Sequence, residues 1–345
     1  MLTDAPCNLK MTPAAEMLAL RESYPERPKR IKRLETPFSW LYLVDRHVYK
    51  LKKPVKLGQL DFSSQILRRQ ACVDESWLNQ RLTSGVYQGV VPINRDTRGR
   101  LSLGGSGVPV DWTVKMRRLP EERNLGKLLA GNRLQSQDIR AVAETLAVFY
   151  LNRPPVTVQL VAFREHLAGR IHANQIALEN GVRPGLCDSV RHIHDLQLKF
   201  LLAATELLNA RVGDGRIVDG HGDLRSAHIY LEHQPQVIDC IEYSRALRQV
   251  DAVDDLCRLL MEFERLGRED LSEAILAEYI RRTSDHIPER LCNFYKSYRA
   301  CVWARFILLR AGLNIQFEPR VRKDPTVAGE EELYLHLAEK YAATL

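Results

Sequence analysis

The spacing of apolar residues changes once along this chain, and that change limits the folds open to it. Up to about residue 117 apolar residues come in short runs bounded by turn residues, which suits strands. Beyond Arg117-Arg118-Leu119-Pro120 they recur at helical spacing for the rest of the chain. The spacing predicts strands over Arg30–Leu34, Trp40–Val44, His47–Leu51, Val86–Ile93 and Val110–Met116, with a tight Asp45-Arg46 turn joining the second and third. A short helix is expected over Thr12–Glu22, broken by Pro25 and Pro28. A longer one is expected over Ser63–Leu82, capped by Ser63 or Ser64, with Ile66, Cys72, Val73, Trp77, Leu78 and Leu82 as its apolar face. The glycine-rich Gly104-Gly105-Ser106-Gly107 lies between the last two strands.

The second texture predicts helices over Ser136–Leu151, Ala162–Glu179, Asp188–Arg211, Val250–Leu266, Asp270–Thr283, Leu291–Ala311 and Ala328–Ala342. One β interruption is expected among them, at Ile229–Leu231 and Gln236–Ile238. Phe294, Tyr298, Val302, Phe306 and Leu309 read as the core face of the late helix. The expected fold is α+β and two-lobed: a small antiparallel-sheet lobe over residues 1–116, a large mainly helical lobe over 117–345, and a cleft between them.

Most of the chemistry-bearing residues gather at the β interruption. Val218-Asp219-Gly220-His221-Gly222-Asp223-Leu224-Arg225 is a loop rich in His, Gly and Asp, placed between a long helix and a short strand. Asp239 follows the apolar run Gln236-Val237-Ile238, and a hairpin between the two carboxylates would return the chain and bring them together. Paired carboxylates suit phosphoryl transfer, one accepting the proton of an attacking hydroxyl and the other holding a divalent cation on nucleotide phosphates. Arg225 is placed to offset charge on the transferring group.

These residues resemble the catalytic core of the aminoglycoside phosphotransferase family, within the protein-kinase-like superfamily. The family pattern is H-G-D-L-x-x-x-N, a hydrophobic strand ending in Asp, and a helix carrying D-L. Here it reads His221-Gly222-Asp223-Leu224, then Asp239, then Asp255-Leu256. The resemblance extends to an uncharacterised bacterial branch of that family, from about Glu35 to about Arg310. It runs through Tyr49-Lys50-Leu51-Lys52-Lys53-Pro54-Val55, Leu60-Asp61-Phe62-Ser63, Leu78-Asn79-Gln80-Arg81-Leu82, Val114-Lys115-Met116-Arg117-Arg118-Leu119 and Tyr295-Lys296-Ser297-Tyr298-Arg299-Ala300. It implies a kinase that transfers the γ-phosphoryl group of ATP or GTP, with Mg²⁺ or Mn²⁺, to a hydroxyl of a small-molecule acceptor. Asp223 matches the catalytic base and Asp239 the metal-binding aspartate. Lys50 matches the lysine on the α/β-phosphates, with Lys52 as its rival, and Glu75 the glutamate that pairs with it. His221 would brace the loop and Asp255 would hydrogen-bond its backbone.

Two departures stand out. The family asparagine, which helps hold metal, falls at His228, which suits Mn²⁺ or Zn²⁺ better than Mg²⁺. No glycine precedes Gly58, so Pro37-Phe38-Ser39 takes the place of a glycine-rich phosphate loop, and Met116 lies in the interlobe segment. Glu242, three residues past Asp239, reads as a surface or loop-bracing residue, with a further metal ligand as the alternative.

Other functions compete. A pseudokinase would keep nucleotide affinity without turnover. A metal-dependent phosphohydrolase would rest on His192-Ile193-His194-Asp195, whose two histidines diverge on a helix. Nucleic-acid binding would rest on the net charge of +7 and the basic run Arg27, Lys29, Arg30, Lys32 and Arg33, but no groove-reading motif accompanies it and a solvated face is expected there. The seven cysteines form no paired motif and read as reduced thiols of a cytoplasmic protein. Met1 to Lys10 lacks the apolar core of a secretory signal, and no apolar run is long enough to span a membrane.

Overall fold

The structure is a computed structural model that describes residues 10–25, 27–312 and 329–345. Met1–Leu9 and Ala328, on which parts of two sequence expectations fall, lie outside the described residues. In chain order the elements begin with helix α1 (Pro13–Leu18), strands β1 (Ile31–Glu35), β2 (Ser39–Val44), β3 (His47–Lys52), β4 (Lys56–Leu57) and β5 (Leu60–Asp61), and helix α2 (Gln65–Asn79). Strands β6 (Tyr87–Arg95), β7 (Leu101–Leu103) and β8 (Val108–Arg117) follow, then helices α3 (Leu125–Ala130), α4 (Ser136–Leu151), α5 (Leu160–Glu179), α6 (Cys187–Ala203) and α7 (Thr205–Gly213). The rest are β9 (Ile217–Asp219), β10 (Ile229–Leu231), β11 (Pro235–Val237), α8 (Arg245–Arg248), β12 (Gln249–Asp251), α9 (Ala252–Arg265), α10 (Glu269–Thr283), α11 (Glu289–Gly312) and α12 (Glu330–Ala342).

The described residues divide into two compact units. The first holds the chain up to Asn124 together with Ile229–Arg245. The second holds Leu125–His228, Ala246–Gly312 and 329–345. The sequence places its one boundary at 116/117. The structure divides at 124/125 and sets the β10–β11 hairpin with the first unit.

The first unit is an antiparallel six-stranded sheet in the order β1-β2-β3-β8-β6-β7. Residues alternate across it, as a pleated strand requires. Trp40, Tyr42 and Val44 of β2 and Tyr49 and Leu51 of β3 pack with Ala14, Ala15, Met17 and Leu18 of α1. Helix α2 starts at Ser64, whose Oγ accepts from the Leu67 N–H at 3.2 Å. The apolar face read from its sequence is only partly the buried face, which keeps Cys72, Leu78 and Leu82 of it. Ile66, Val73 and Trp77 are exposed, whereas Arg68, Ala71, Cys72, Glu75, Leu78 and Asn79 are buried. Polar residues tolerate that position because each has a partner: Arg68 makes a bidentate pair with Asp111 at 2.9 and 3.0 Å.

The second unit is mainly helical. Its core includes Phe200 stacked on Phe294, with centroids 4.7 Å apart, and a cluster of Leu178, Val190, Ile193, Met261, Ala304 and Tyr334. Phe294 and Tyr298 are buried, but Val302, Phe306 and Leu309 are only half-buried. The buried residues of α11 also include Leu291, Tyr295, Cys301 and Ala304, so the inward face is broader than the stripe read from the sequence. The expected helix from Val250 begins as strand: Gln249–Asp251 pairs antiparallel with Ile217–Asp219. That two-stranded ribbon sets the start of β9 beside the start of α9.

Candidate functional site

Two sets of charged residues are built, one in each unit. In the first, β3 presents Lys50 and Lys52 on one face, because residues two apart on a strand point the same way. Glu75 of α2, fully buried, receives both: Oε1 accepts from Lys50 Nζ at 2.8 Å and Oε2 from Lys52 Nζ at 2.7 Å. Lys50 also reaches Asp239 Oδ1 at 2.6 Å, and Lys52 pairs with Glu242. Lys50 thus bridges Glu75 and Asp239, while Lys52, only 1 % exposed, bridges Glu75 and Glu242. The basic stretch Lys50-Leu51-Lys52-Lys53 is therefore largely internal.

Asp239 follows β11 with φ +65°, a left-handed conformation that aspartate adopts more readily than most residues. Its loop is anchored by α2, where Asn79 Oδ1 accepts from the Cys240 N–H at 2.9 Å. Burial works to raise the Glu75 pKa, and the two ammonium groups outweigh it, so the carboxyl lies below its ordinary value. Burial likewise opposes the charge on Lys50, and Asp239 and Glu75 overcome it, raising its pKa well above the ordinary value. Ser39 is buried at the start of β2, opposite Lys52 in register, in a turn closed by Thr36 Oγ1 accepting from the Ser39 N–H at 2.9 Å. Met116 packs in an apolar cluster with Cys72, Val86, Tyr87 and Val114.

In the second unit the loop after β9 is held from α9. Asp255 Oδ2 accepts from the His221 N–H at 2.6 Å, and Oδ1 from the Gly222 N–H at 3.0 Å. Close approach at this point requires glycine: a Cβ on Gly220 would sit 2.7 Å from Asp255 Oδ2. His221, fully buried, turns its Nδ1 to accept from the Asp223 N–H at 3.3 Å. The Asp223 carboxylate, 30 % exposed, lies 3.0 Å from Arg225 Nε and 3.8 Å from Arg258 Nε. Burial pushes its pKa up, but Arg225, His228, Arg258 and His221 pull harder and hold it at about 2.

His228 is engaged at both ring nitrogens. Arg225 Nη2 lies 2.6 Å from Nε2, and Nδ1 lies 3.0 Å from the Asp223 carbonyl oxygen. A guanidinium can only donate, so Nε2 is the acceptor and Nδ1–H donates to the carbonyl. Among the described residues no group of three or more His, Cys, Asp or Glu side chains could by itself hold a metal ion. The alternative pair on α6 diverges: His192 is exposed, whereas His194 is buried with Nδ1 2.6 Å from the Val190 carbonyl oxygen.

Sequence reasoning missed Arg258, Glu262 and Trp303. Glu262 accepts from Ser226 at its N–H, 2.8 Å, and at its Oγ, 2.7 Å. The guanidinium groups of Arg225 and Arg258 lie 4.9 and 4.3 Å from the Trp303 ring centre. A signal was present, because Asp255, Arg258 and Glu262 share one helix face.

No family model matches the chain. It is 34% identical over 287 residues to an uncharacterised protein of Mycobacterium tuberculosis (strain ATCC 25618 / H37Rv), covering 80% of this chain and 54% of that one. The same identity and coverage relate it to an uncharacterised protein of Mycobacterium bovis (strain ATCC BAA-935 / AF2122/97). The chain therefore spans about half the length of the curated relatives it matches. Among solved structures it is similar to LicA in complex with AMP, with TM-score 0.52 and 14% identity over 91% of each chain. It is also similar to a choline/ethanolamine kinase family protein from Mesorhizobium loti, with TM-score 0.51 and 12% identity over 96% of this chain and 94% of that one. A thermostable mutant of aminoglycoside phosphotransferase APH(4)-Ia gives TM-score 0.51 and 10% identity over 92% and 94%. Likeness at such identities shows the fold: the chain has the kinase-like fold of these small-molecule kinases, and the resemblance read from its sequence is met at that level. No described helix is long and apolar enough to cross a membrane.

Proposed function

We propose that this chain is a phosphotransferase that moves the γ-phosphoryl group of ATP or GTP to a hydroxyl of a small-molecule acceptor. The observation that carries this reading is Lys50, held at 2.8 Å from Glu75 and 2.6 Å from Asp239 by residues from a strand, a helix and a hairpin loop. A lysine fixed by a helix carboxylate is the arrangement that binds nucleotide phosphates in kinases. The kinase names of the structural neighbours, and the AMP bound by one of them, support the same class of chemistry.

The donor set fits a hard divalent cation. Mg²⁺ is commonly bound by one or two carboxylates plus substrate phosphates rather than by a protein cage. Asp239, 43 % exposed at its side chain, suits that part. A bound Mg²⁺ would supply charge neutralisation on the phosphates. Lys50 would leave Asp239 for the donor phosphates while Glu75 keeps it in place. Because both nitrogens of His228 are taken within its own loop, the metal role falls to Asp239.

Asp223 would accept a hydrogen bond from the acceptor hydroxyl and orient its oxygen. With a pKa of about 2 it is ionised at neutral pH and is a weak base. It would therefore take the proton late, as the oxygen–phosphorus bond forms. The bond from phosphorus to the diphosphate oxygen breaks, its electron pair leaves with the nucleoside diphosphate, and the acceptor proton ends on Asp223. Arg225 would offset charge on the transferring group.

Calorimetry with ATP and with GTP, in Mg²⁺, Mn²⁺ or no metal, tests the reading. Metal-dependent binding is expected, weakened by about tenfold or more in Asp239→Ala. No binding under any metal, or undiminished metal-dependent affinity in the variant, overturns it.

A further inference from the structure

Asp223 has two guanidinium partners, and they differ in exposure. Arg225 is 22 % exposed at its side chain and comes from the same loop. Arg258 is 3 % exposed and comes from α9. Both lie against Trp303, so the indole is a shared platform for two cations. Arg258 is further fixed by an ion pair with Glu262 at 3.2 Å, and Glu262 is itself tied to Ser226. Arg225 has a second acceptor in the same conformation, the Nε2 of His228 at 2.6 Å from its Nη2, which it would keep on leaving the carboxylate.

We propose that Arg258 is the fixed counter-ion of Asp223, a positioning residue that lets Arg225 exchange between Asp223 and an incoming oxyanion. The inference rests on the phosphotransferase reading for the identity of that oxyanion, the transferring phosphoryl group. A single arginine could not serve both ends. If Arg225 were the sole partner of Asp223, moving it to a phosphoryl oxygen would leave a partly buried carboxylate unpaired, at substantial cost. With Arg258 behind it, Asp223 keeps a cation whichever way Arg225 turns. His228 has its place in the same device. It stands where the family pattern has asparagine, and its acceptor nitrogen gives Arg225 a docking point off the carboxylate.

The loop supplies Arg225, His221 and His228, and α9 supplies Asp255, Arg258 and Glu262. From α11 come Trp303 and Arg299, whose guanidinium donates to the Gly222 carbonyl at 3.1 Å and pairs with Asp254. Arg299 is therefore occupied and does not substitute for Arg258.

The test measures the reactivity of Arg225 directly. The full chain is treated with phenylglyoxal without nucleotide, and modification of individual arginines is followed by peptide mass spectrometry. In the wild type Arg225 is expected to react and Arg258 to be protected. In Arg258→Gln, Arg225 becomes the sole partner of Asp223 and its modification should slow by about fivefold, a 1 kcal/mol difference at 298 K. Arg258→Lys, which keeps a cation, should restore the wild-type rate to within about twofold. Equal Arg225 rates in all three proteins, with unchanged melting temperatures, overturn the proposal. With nucleotide and metal present, Arg258→Gln should lower kcat by about a hundredfold with the nucleotide KM within about twofold. Parallel loss of kcat and nucleotide affinity marks a structural role and also overturns it. Because the labelling needs no nucleotide, a wild type that binds none defeats the kinase reading alone, while the labelling contrast still decides the role of Arg258.

Discussion

The two charged sets are held in opposite ways. In the first unit charge is balanced by charge: Lys50 and Lys52 lie among Glu75, Asp239 and Glu242, and these four ion pairs are between side chains. In the second unit the central carboxylate, Asp255, accepts from two backbone N–H groups and from the Tyr150 hydroxyl at 3.1 Å. An ion-pair network can exchange partners without moving the chain. A carboxylate clasped on backbone N–H groups fixes the chain itself. A region that must admit a charged ligand benefits from the first, and a loop that must hold one carboxylate in a set direction benefits from the second.

The sharpest way to break this contrast is Asp255→Ala. It leaves the His221 and Gly222 N–H groups buried without an acceptor, at a cost of about 2–4 kcal/mol in a denaturant titration. Turnover should fall by about a hundredfold or more, because the Asp223 loop loses its support. Nucleotide affinity should stay within about threefold, since no first-unit side chain is altered. If Asp255→Ala weakened nucleotide binding as much as Asp239→Ala, the two sets would not be separable.

Lys52→Met probes the other side. It leaves Glu75, fully buried, and Glu242, 9 % exposed at its side chain, without the cation between them, and should cost about 3–5 kcal/mol at pH 7. The sign of its pH dependence is distinctive. In the wild type Glu75 is depressed, so its contribution is present above the unfolded carboxylate pKa and is lost only as pH falls through the lower folded value, while burial raises Glu242 and gives an opposing slope that Lys52 holds in check. In the variant the carboxylates favour protonation, so thermal stability should recover as pH falls from 7 towards 5. A variant that loses stability steadily over that range would show that Lys50 alone balances the set.

How much of this was legible varies with the kind of interaction. Strand alternation and the Asp45-Arg46 turn are local, and β2 and β3 lie within a residue of where the sequence puts them. The hairpin before Asp239 was legible for the same reason. The buried face of α2 was legible only at Cys72, Leu78 and Leu82, because an apolar count places Ile66 and Trp77 inward and cannot know that Arg68 and Glu75 will find partners on distant strands. The strand at Gln249–Asp251 was missed because its partner, Ile217–Asp219, is remote in sequence. Arg258 and Glu262 went unread since their meaning depends on Asp255 lying on the same face, and every residue of α9 from Ala252 to Phe263 is buried. The pairing of Lys52 with Glu242 has no sequence signal beyond the alternation that made Lys52 a rival of Lys50.

The smallest effect tests whether the first set depends on its helix as a whole. Ser64 caps α2, and its Oγ accepts from the Leu67 N–H. Ser64→Ala should lower stability by about 1 kcal/mol through the unsatisfied N-terminal N–H. Glu75 lies three turns further along, beyond the reach of first-turn fraying, and is fixed by two ammonium groups and by packing. Nucleotide affinity measured by calorimetry should therefore stay within about twofold while the melting temperature falls by a few degrees. An affinity loss scaling with the stability loss would mean that the carboxylate is positioned by the helix end rather than by its cations, and the contrast between the two sets would weaken accordingly.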